Sequence, residues 1–272
     1  MSMNAEMERE AGEGSPTAGT RPRQIVLFGD SHSHAVQSAI QKRIGKGQAA
    51  PLTAYRLLKE KNGSHIGDTT FEDFLKLIRK LEADDVVLSM IGGNQHAVYS
   101  TIQHPQVFDL FEPGEVGLAS QSREIIPYRA IEAAFATGLR RGDGKSLEAI
   151  RAATVARVVH VIPPPPKRDN AFVEQHHESL FAVEGLAARG VSSPELRLKF
   201  WKLQTQVLET LCAEFGIEVM MPPPPALEHR GFLRPEYYAR DATHANWRYG
   251  ERVLREVESR FLPPDGRAKS DG

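Results

Sequence analysis

Five short apolar runs, each cut off by glycine, proline or charge, constrain this chain most. QIVLFG (24–29) stops at Gly-Asp, LTAYRLL (52–58) stops at Lys-Glu-Lys, and DDVVLSMIGG (84–93) runs into two glycines. VARVVHVIPPPP (155–166) and GIEVMMPPPP (216–225) are each halted by four prolines. Continuous rather than alternating hydrophobicity marks strands that are covered on both faces. Between the runs lie segments with helical spacing: HAVQSAIQKRI (34–44), TTFEDFLKLIRKLEA (69–83), PELRLKFWKLQTQVLETLCAEFG (194–216) and NWRYGERVLREVESRFL (246–262). In the second of these Phe71, Phe74, Leu75, Ile78 and Leu81 share one face, and Thr69 or Thr70 is placed to cap it. Strands alternating with helices predict an α/β fold with a central parallel sheet of about five strands and helices on both sides.

The chain has 272 residues, 40% of them hydrophobic, enough for one sizeable core. We expect a single domain over residues 23–263, between a disordered tail at 1–22, rich in Glu, Gly, Ser and Pro, and a second at 264–272. Residues 97–150 exceed what a simple crossover needs. They read equally as a cap over a site or as extra surface helices. The two proline runs read as stiff exits from core strands, the alternative being a ligand for a proline-reading module. A formal net charge of −1 argues against a dedicated nucleic-acid binder. No window approaches the ~18 apolar residues of a membrane helix, and the N-terminal stretch has no apolar core of an export signal. The expectation is a cytoplasmic protein without membrane or nucleic-acid partners. The single cysteine, Cys212, lies in an apolar helix and reads as a small buried hydrophobe.

In an open parallel sheet, chemistry gathers beyond the carboxyl ends of the strands. That rule directs attention to Gly29–His34, Gly92–His96, 167–170 and 226–230. The first is the densest: Gly29, Asp30, Ser31, His32, Ser33 and His34 follow the first strand without an apolar residue. Three chemistries fit it: a serine nucleophile, a metal site on Asp30-x-His32, or a plain helix cap. A serine needs a histidine to take its proton and a carboxylate to orient that histidine. DATH supplies both, with Asp241 and His244 three residues apart ahead of the last helix. The carboxylate can then hold the imidazole Nδ1 proton and leave Nε2 for Ser31. Negative charge developing on a substrate carbonyl needs fixed donors. Asn94 in GGNQH, Gly67 in IGDTT and the Ser31 N–H are the candidates, with Gly63 as the fallback glycine.

In this order GDS (29–31), Gly67, GGN (92–94) and DATH (241–244) resemble the SGNH/GDSL hydrolases, a family of esterases and lipases. The resemblance spans residues 25 to about 260. It implies a flavodoxin-like three-layer α/β/α fold and ester hydrolysis through an acyl-serine, with no metal and no cofactor. It further implies Ser31 as nucleophile, His244 as base and then acid, Asp241 as its orienting carboxylate, and Ser31, Gly67 and Asn94 as oxyanion donors. Two departures, His32 after Ser31 and Gln95 after Asn94, imply a more polar pocket than a lipase has. They point to a small or hydrophilic acyl ester, such as a carbohydrate or small-molecule O-acyl group, with His32, Gln95 and His96 as substrate-binding candidates.

The rivals are an acyltransferase using the same triad, a binding domain that has lost catalysis, and a metal-dependent phosphoesterase using Asp30 and His32. The last lacks a bridging G-D-x-x-D aspartate and a late G-H-x-H. Oligomeric state and the identity of the ester lie beyond the sequence.

Overall fold

The computed structural model describes residues 21–61, 63–115 and 123–262. Five strands, β1 (Ile25–Gly29), β2 (Thr53–Arg56), β3 (Val86–Met90), β4 (Arg157–Val161) and β5 (Glu218–Met220), form one sheet in the order β2-β1-β3-β4-β5. Every pairing is parallel. The helices that cover it are α1 (Ser33–Ile44), α2 (Phe71–Ile78), α3 (Gln95–Ser100), α4 (Tyr128–Leu139), α5 (Lys145–Ala152), α6 (Pro194–Glu214) and α7 (Trp247–Phe261). The expected five-stranded, three-layer α/β architecture is what the chain adopts. The strands are one to seven residues shorter than the apolar runs that announced them.

Strand parity divides the core. Val26, Phe28, Val87 and Val158 face α2, α4, α5 and α6, whereas Ile25, Leu27, Leu88, Val159 and Val161 face α1 and α7. Both faces are therefore sealed, which is why the strands read as unbroken apolar runs. Thr70 caps α2 as expected, its side chain accepting from the Asp73 N–H. The strand order reverses between β1 and β3, so the crevice for chemistry opens at their carboxyl ends. There Gly29 pairs with Met90 on one side and Arg56 on the other.

Helices α1 and α7 lie unusually close. A Cβ on Gly250 would fall 2.0 Å from the Ala35 carbonyl oxygen, so only glycine permits this contact. Arg43 of α1, nearly buried, ties the two together through Glu251 at 2.8 Å and Glu258. The consequence is functional: α1 begins just after Ser31, and α7 begins just after His244.

Of the 97–150 segment the structure describes residues 97–115 and 123–150, and part of it is built into the core. Helix α4, a π-helical turn (Arg140–Gly144) and α5 run on continuously from 128 to 152. Phe135, Leu139, Leu147 and Ile150 from this run are buried in the main core beside Phe200 and Trp201 of α6. Pro163 to Pro166 are buried too, and the Trp201 indole donates to the Pro163 carbonyl at 3.1 Å. That run is a core exit rather than an accessible proline ligand. Cys212 is fully buried, and burial pushes its thiol up to about 12. The tails expected at 1–22 and 264–272 fall outside the described residues except for Arg21 and Pro22. Arg21 is anchored, its guanidinium forking onto the buried Asp85 carboxylate.

Candidate active site

Strand β1 hands over to α1 through a turn only glycine can start. A Cβ on Gly29 would meet Met90 Cβ at 2.7 Å and Ser33 Cβ at 2.9 Å. The turn is fastened from within: the Ser33 hydroxyl donates to the Asp30 carbonyl at 2.6 Å, and Asp30 Oδ2 accepts the Gly92 N–H at 3.1 Å. Asp30 thus shapes the turn and ties it to the end of β3. Ser31 stands half-exposed at the opening of α1.

His32 is buried, and its Nε2 lies 2.7 Å from Asn94 Oδ1. An amide oxygen only accepts, so Nε2 carries the proton. Burial first, and then the neighbouring His244, push this ring down to about 4, so it is neutral near pH 7. With its oxygen held by His32, the Asn94 amide directs its NH₂ away from that bond.

The Asn94 loop is held at every polar atom of Gly93. Its N–H donates to Asp143 Oδ2 at 3.2 Å, and its carbonyl accepts from His96 Nδ1 at 2.9 Å and Gln204 Nε2 at 2.7 Å. Gly92 and Gly93 take positive φ of 74° and 89°, a conformation that glycine adopts without steric cost. Gly67, with φ of 107°, sits beyond the carboxyl end of β2, where Asp68 N–H bonds the Arg56 carbonyl. A side chain at Gly67 would strike the Leu57 carbonyl at 2.3 Å. Gly63 instead occupies an open hairpin turn between Lys59–Lys61 and Ser64–Ile66.

His244 arrives on the loop ahead of α7. Its Nδ1 lies 3.0 Å from Asp241 Oδ2, while Asp241 Oδ1 accepts the backbone N–H groups of Thr243 and His244 at 3.1 and 2.7 Å. Its Nε2 is buried without a hydrogen-bond partner among the described residues. The His32 and His244 rings stand 4.8 Å apart, which sets the loop over the turn that carries Ser31. Burial alone would raise the Asp241 pKa. The hydrogen bond and charge of His244, with Lys167 behind, hold it well below the usual carboxylate range.

Two groups that the sequence did not single out complete this loop. Lys167, 1% exposed, follows the first proline run and points its ammonium at the Ala239 carbonyl (2.7 Å), the Asp241 carbonyl and Asp241 Oδ1 (3.5 Å). Burial pushes it down to about 8. Glu178 accepts the Thr243 hydroxyl at 2.5 Å and the Ala242 N–H at 3.0 Å, and its Oε1 lies 3.5 Å from His244 Nδ1. Lys167 lay in a window flagged as a strand end. Nothing in HHESLF (176–181) marks Glu178, because its role depends on a contact across 65 residues.

Among the described residues, Glu178, Asp241 and His244 are the only three that offer donor atoms close enough to share a metal ion. Their donors already bond to one another or to the loop, and Lys167 supplies the positive charge beside Asp241. Asp30 and His32 are not in that group. Three side chains were expected at the substrate: His32, Gln95 and His96. His32 is spent on Asn94 and His96 on Gly93, while Gln95 lies against Gly138 of α4, where a Cβ would meet its Nε2 at 2.3 Å.

His96 and His160, the latter fully buried on β4, are both pushed down to about 4 by burial. The unfolded chain binds protons at these rings from pH 6.5 downwards, whereas the folded chain does so only near pH 4. With His32, pushed down in the same way, stability therefore falls as pH drops through that window, by about 4 kcal/mol per pH unit at its steepest for three protons. Urea unfolding at pH 7, 6 and 5 measures this, and a free energy that stays flat across the range refutes it.

No family model matches the sequence, and no curated protein matches it. Solved structures are similar to it at low identity and with TM-scores below 0.5. A carbohydrate acetylesterase from Sinorhizobium meliloti is 13% identical, with 88% of this chain and 97% of that one covered and a TM-score of 0.44. A lipase from Streptomyces rimosus is 13% identical, with 87% and 99% covered and a TM-score of 0.46. A phospholipase A1 from Streptomyces albidoflavus is 12% identical, with 87% and 98% covered and a TM-score of 0.44.

Proposed function

We propose that this chain is a serine ester hydrolase of the SGNH/GDSL kind, acting on a small or polar acyl ester through an acyl-serine. The observation that carries the reading is His244. Its Nδ1 is bound to Asp241, and its Nε2 is buried without a partner beside the turn that bears Ser31. An imidazole held in that tautomer is a base waiting for a proton.

Ser31 Oγ attacks the ester carbonyl carbon and gives its proton to His244 Nε2. The carbonyl oxygen takes up negative charge, stabilised by the Asn94 NH₂ and by the N–H groups of Ser31 and Gly67. Collapse of the tetrahedral intermediate breaks the bond to the alcohol oxygen, which leaves with the proton from His244. Water then attacks the acyl-serine, His244 taking its proton and returning it to Ser31. Asp241 and Glu178 stabilise the imidazolium that forms in both halves. The polar surroundings supplied by Asn94, Thr243 and Glu178 suit a short or hydrophilic acyl group, such as an O-acyl group on a carbohydrate.

A fluorophosphonate probe should label the protein on Ser31, located by peptide mass spectrometry, with labelling unaffected by a chelator. Absence of labelling on the wild-type chain, or hydrolysis that survives Ser31→Ala and disappears on chelation, rules the reading out.

A further inference from the structure

The 128–152 helix reaches the candidate site through one side chain. Asp143 lies in the π turn between Gly142 and Gly144. A π turn widens the helix locally, and such turns recur at functional positions. Here both flanking halves keep their apolar residues in the core while Asp143 faces the end of β3. Its Oδ2 accepts the Gly93 N–H at 3.2 Å and lies 2.0 Å from where a Cβ on Gly92 would be. Gly92 is therefore a seat for this carboxylate as well as a positive-φ position.

Asp30 accepts the Gly92 N–H at 3.1 Å, so two consecutive amides of the loop are each held by a carboxylate. The first comes from the β1 turn and the second from the inserted helix. Burial, and then the nearby Asp30 charge, raise the Asp143 pKa. A group that is costly to place there is nonetheless seated on the Gly93 amide. Gln95 against Gly138 adds a second contact between the same helix and the same loop.

We propose that Asp143 is a positioning residue: through Gly93 it fixes the Asn94 amide, making the 128–152 helix a strut for the oxyanion donor. The catalytic half of this inference rests on the ester-hydrolase reading; the structural half does not. Asn94 has no side-chain capping bond to its own helix. Its orientation depends on His32 at its oxygen and on the backbone held at Gly93. Releasing the Gly93 N–H removes one tie, with Asp30 still on the Gly92 N–H and His96 and Gln204 still on the Gly93 carbonyl, and lets the donor shift while the pocket that binds the ester is untouched.

The test uses the full-length protein with p-nitrophenyl acetate and backbone hydrogen exchange. Asp143→Ala is expected to lower kcat by at least about tenfold with KM within twofold, short of the ~10²–10³ for losing an oxyanion donor outright. It should also speed exchange at Gly92 and Gly93 while Val87 and Leu88 stay protected. Asp143→Asn keeps an acceptor oxygen in place and should restore kcat to within about threefold of wild type. Asp143→Ser, polar but too short to reach Gly93, gives the same reading as alanine if the alanine variant does not fold. A purely structural residue would lower the melting temperature and leave kcat, measured well below it, unchanged. Wild-type kcat in Asp143→Ala or Asp143→Ser overturns the catalytic half, and unchanged Gly93 exchange overturns the strut itself. A wild-type chain that neither hydrolyses the ester nor takes the fluorophosphonate overturns the ester reading and the catalytic half with it. Exchange at Gly93 then decides the strut alone.

Discussion

His244→Ala is expected to lower kcat for p-nitrophenyl acetate by roughly 10³-fold or more while leaving KM within a few-fold. The imidazole is used only as the proton moves, so removing it costs transition-state stabilisation and little ground-state binding. Residual activity comes from the Asn94, Ser31 and Gly67 donors, which the substitution does not touch. Ser31→Ala with His244→Ala should be hardly worse than either alone, because the two act as a unit. Asp241→Asn should cost less than His244→Ala. Glu178 still lies 3.5 Å from Nδ1, and Lys167 still holds the loop backbone at Ala239 and Asp241. Steady-state kinetics on purified variants decide the matter: a His244→Ala enzyme within tenfold of wild type is incompatible with His244 as the base.

The sequence carried the sheet because covering both faces leaves each strand a continuous apolar run, visible without knowledge of its neighbours. It carried Ser31, Asn94, Asp241 and His244 as candidates because strand ends are where a parallel sheet opens, and because the Asp241–His244 pair is local, closed by a bond across three residues. What was not legible is what distant segments do when they meet. Asp143 reaches Gly93 across 50 residues, Gln204 reaches it across 111, and Glu178 reaches Thr243 across 65. None of these carries a spacing that announces the contact. Two histidines bear on the same point. His32 and His96 sit in polar clusters at strand ends, which suggested pocket walls; in the structure both rings are buried and bond to Asn94 and Gly93. A polar residue near a site is as often its scaffold as its surface, and only packing tells the two apart.

Gly250→Ala shows how far such packing controls the chemistry. In a helix interior alanine is intrinsically better than glycine by about 1 kcal/mol, so propensity alone predicts a gain. The contact decides otherwise. The new Cβ would lie 2.0 Å from the Ala35 oxygen, 2.4 Å from its carbonyl carbon and 2.8 Å from the Val36 nitrogen. All three are backbone atoms that cannot rotate aside, so α1 and α7 must separate by on the order of 1 Å. Separation loosens Ala35, Ala39, Val253, Leu254 and Val257 across the seam. Overpacking of this kind costs about 3 kcal/mol, or a melting temperature lower by roughly 6–12 °C for a domain of this size. Because α1 starts beyond Ser31 and α7 starts beyond His244, the same displacement pulls the proposed nucleophile from its base. A misplacement of ~1 Å costs up to 10²-fold in rate, so kcat should fall more than tenfold in protein that is still folded. Gly45→Ala is the control, since its Cβ would meet nothing closer than 3.4 Å and its φ is helical. Calorimetry and steady-state kinetics on the two variants separate the effects. A Gly250→Ala protein as stable and as active as wild type would show that α1 and α7 do not set the distance between Ser31 and His244.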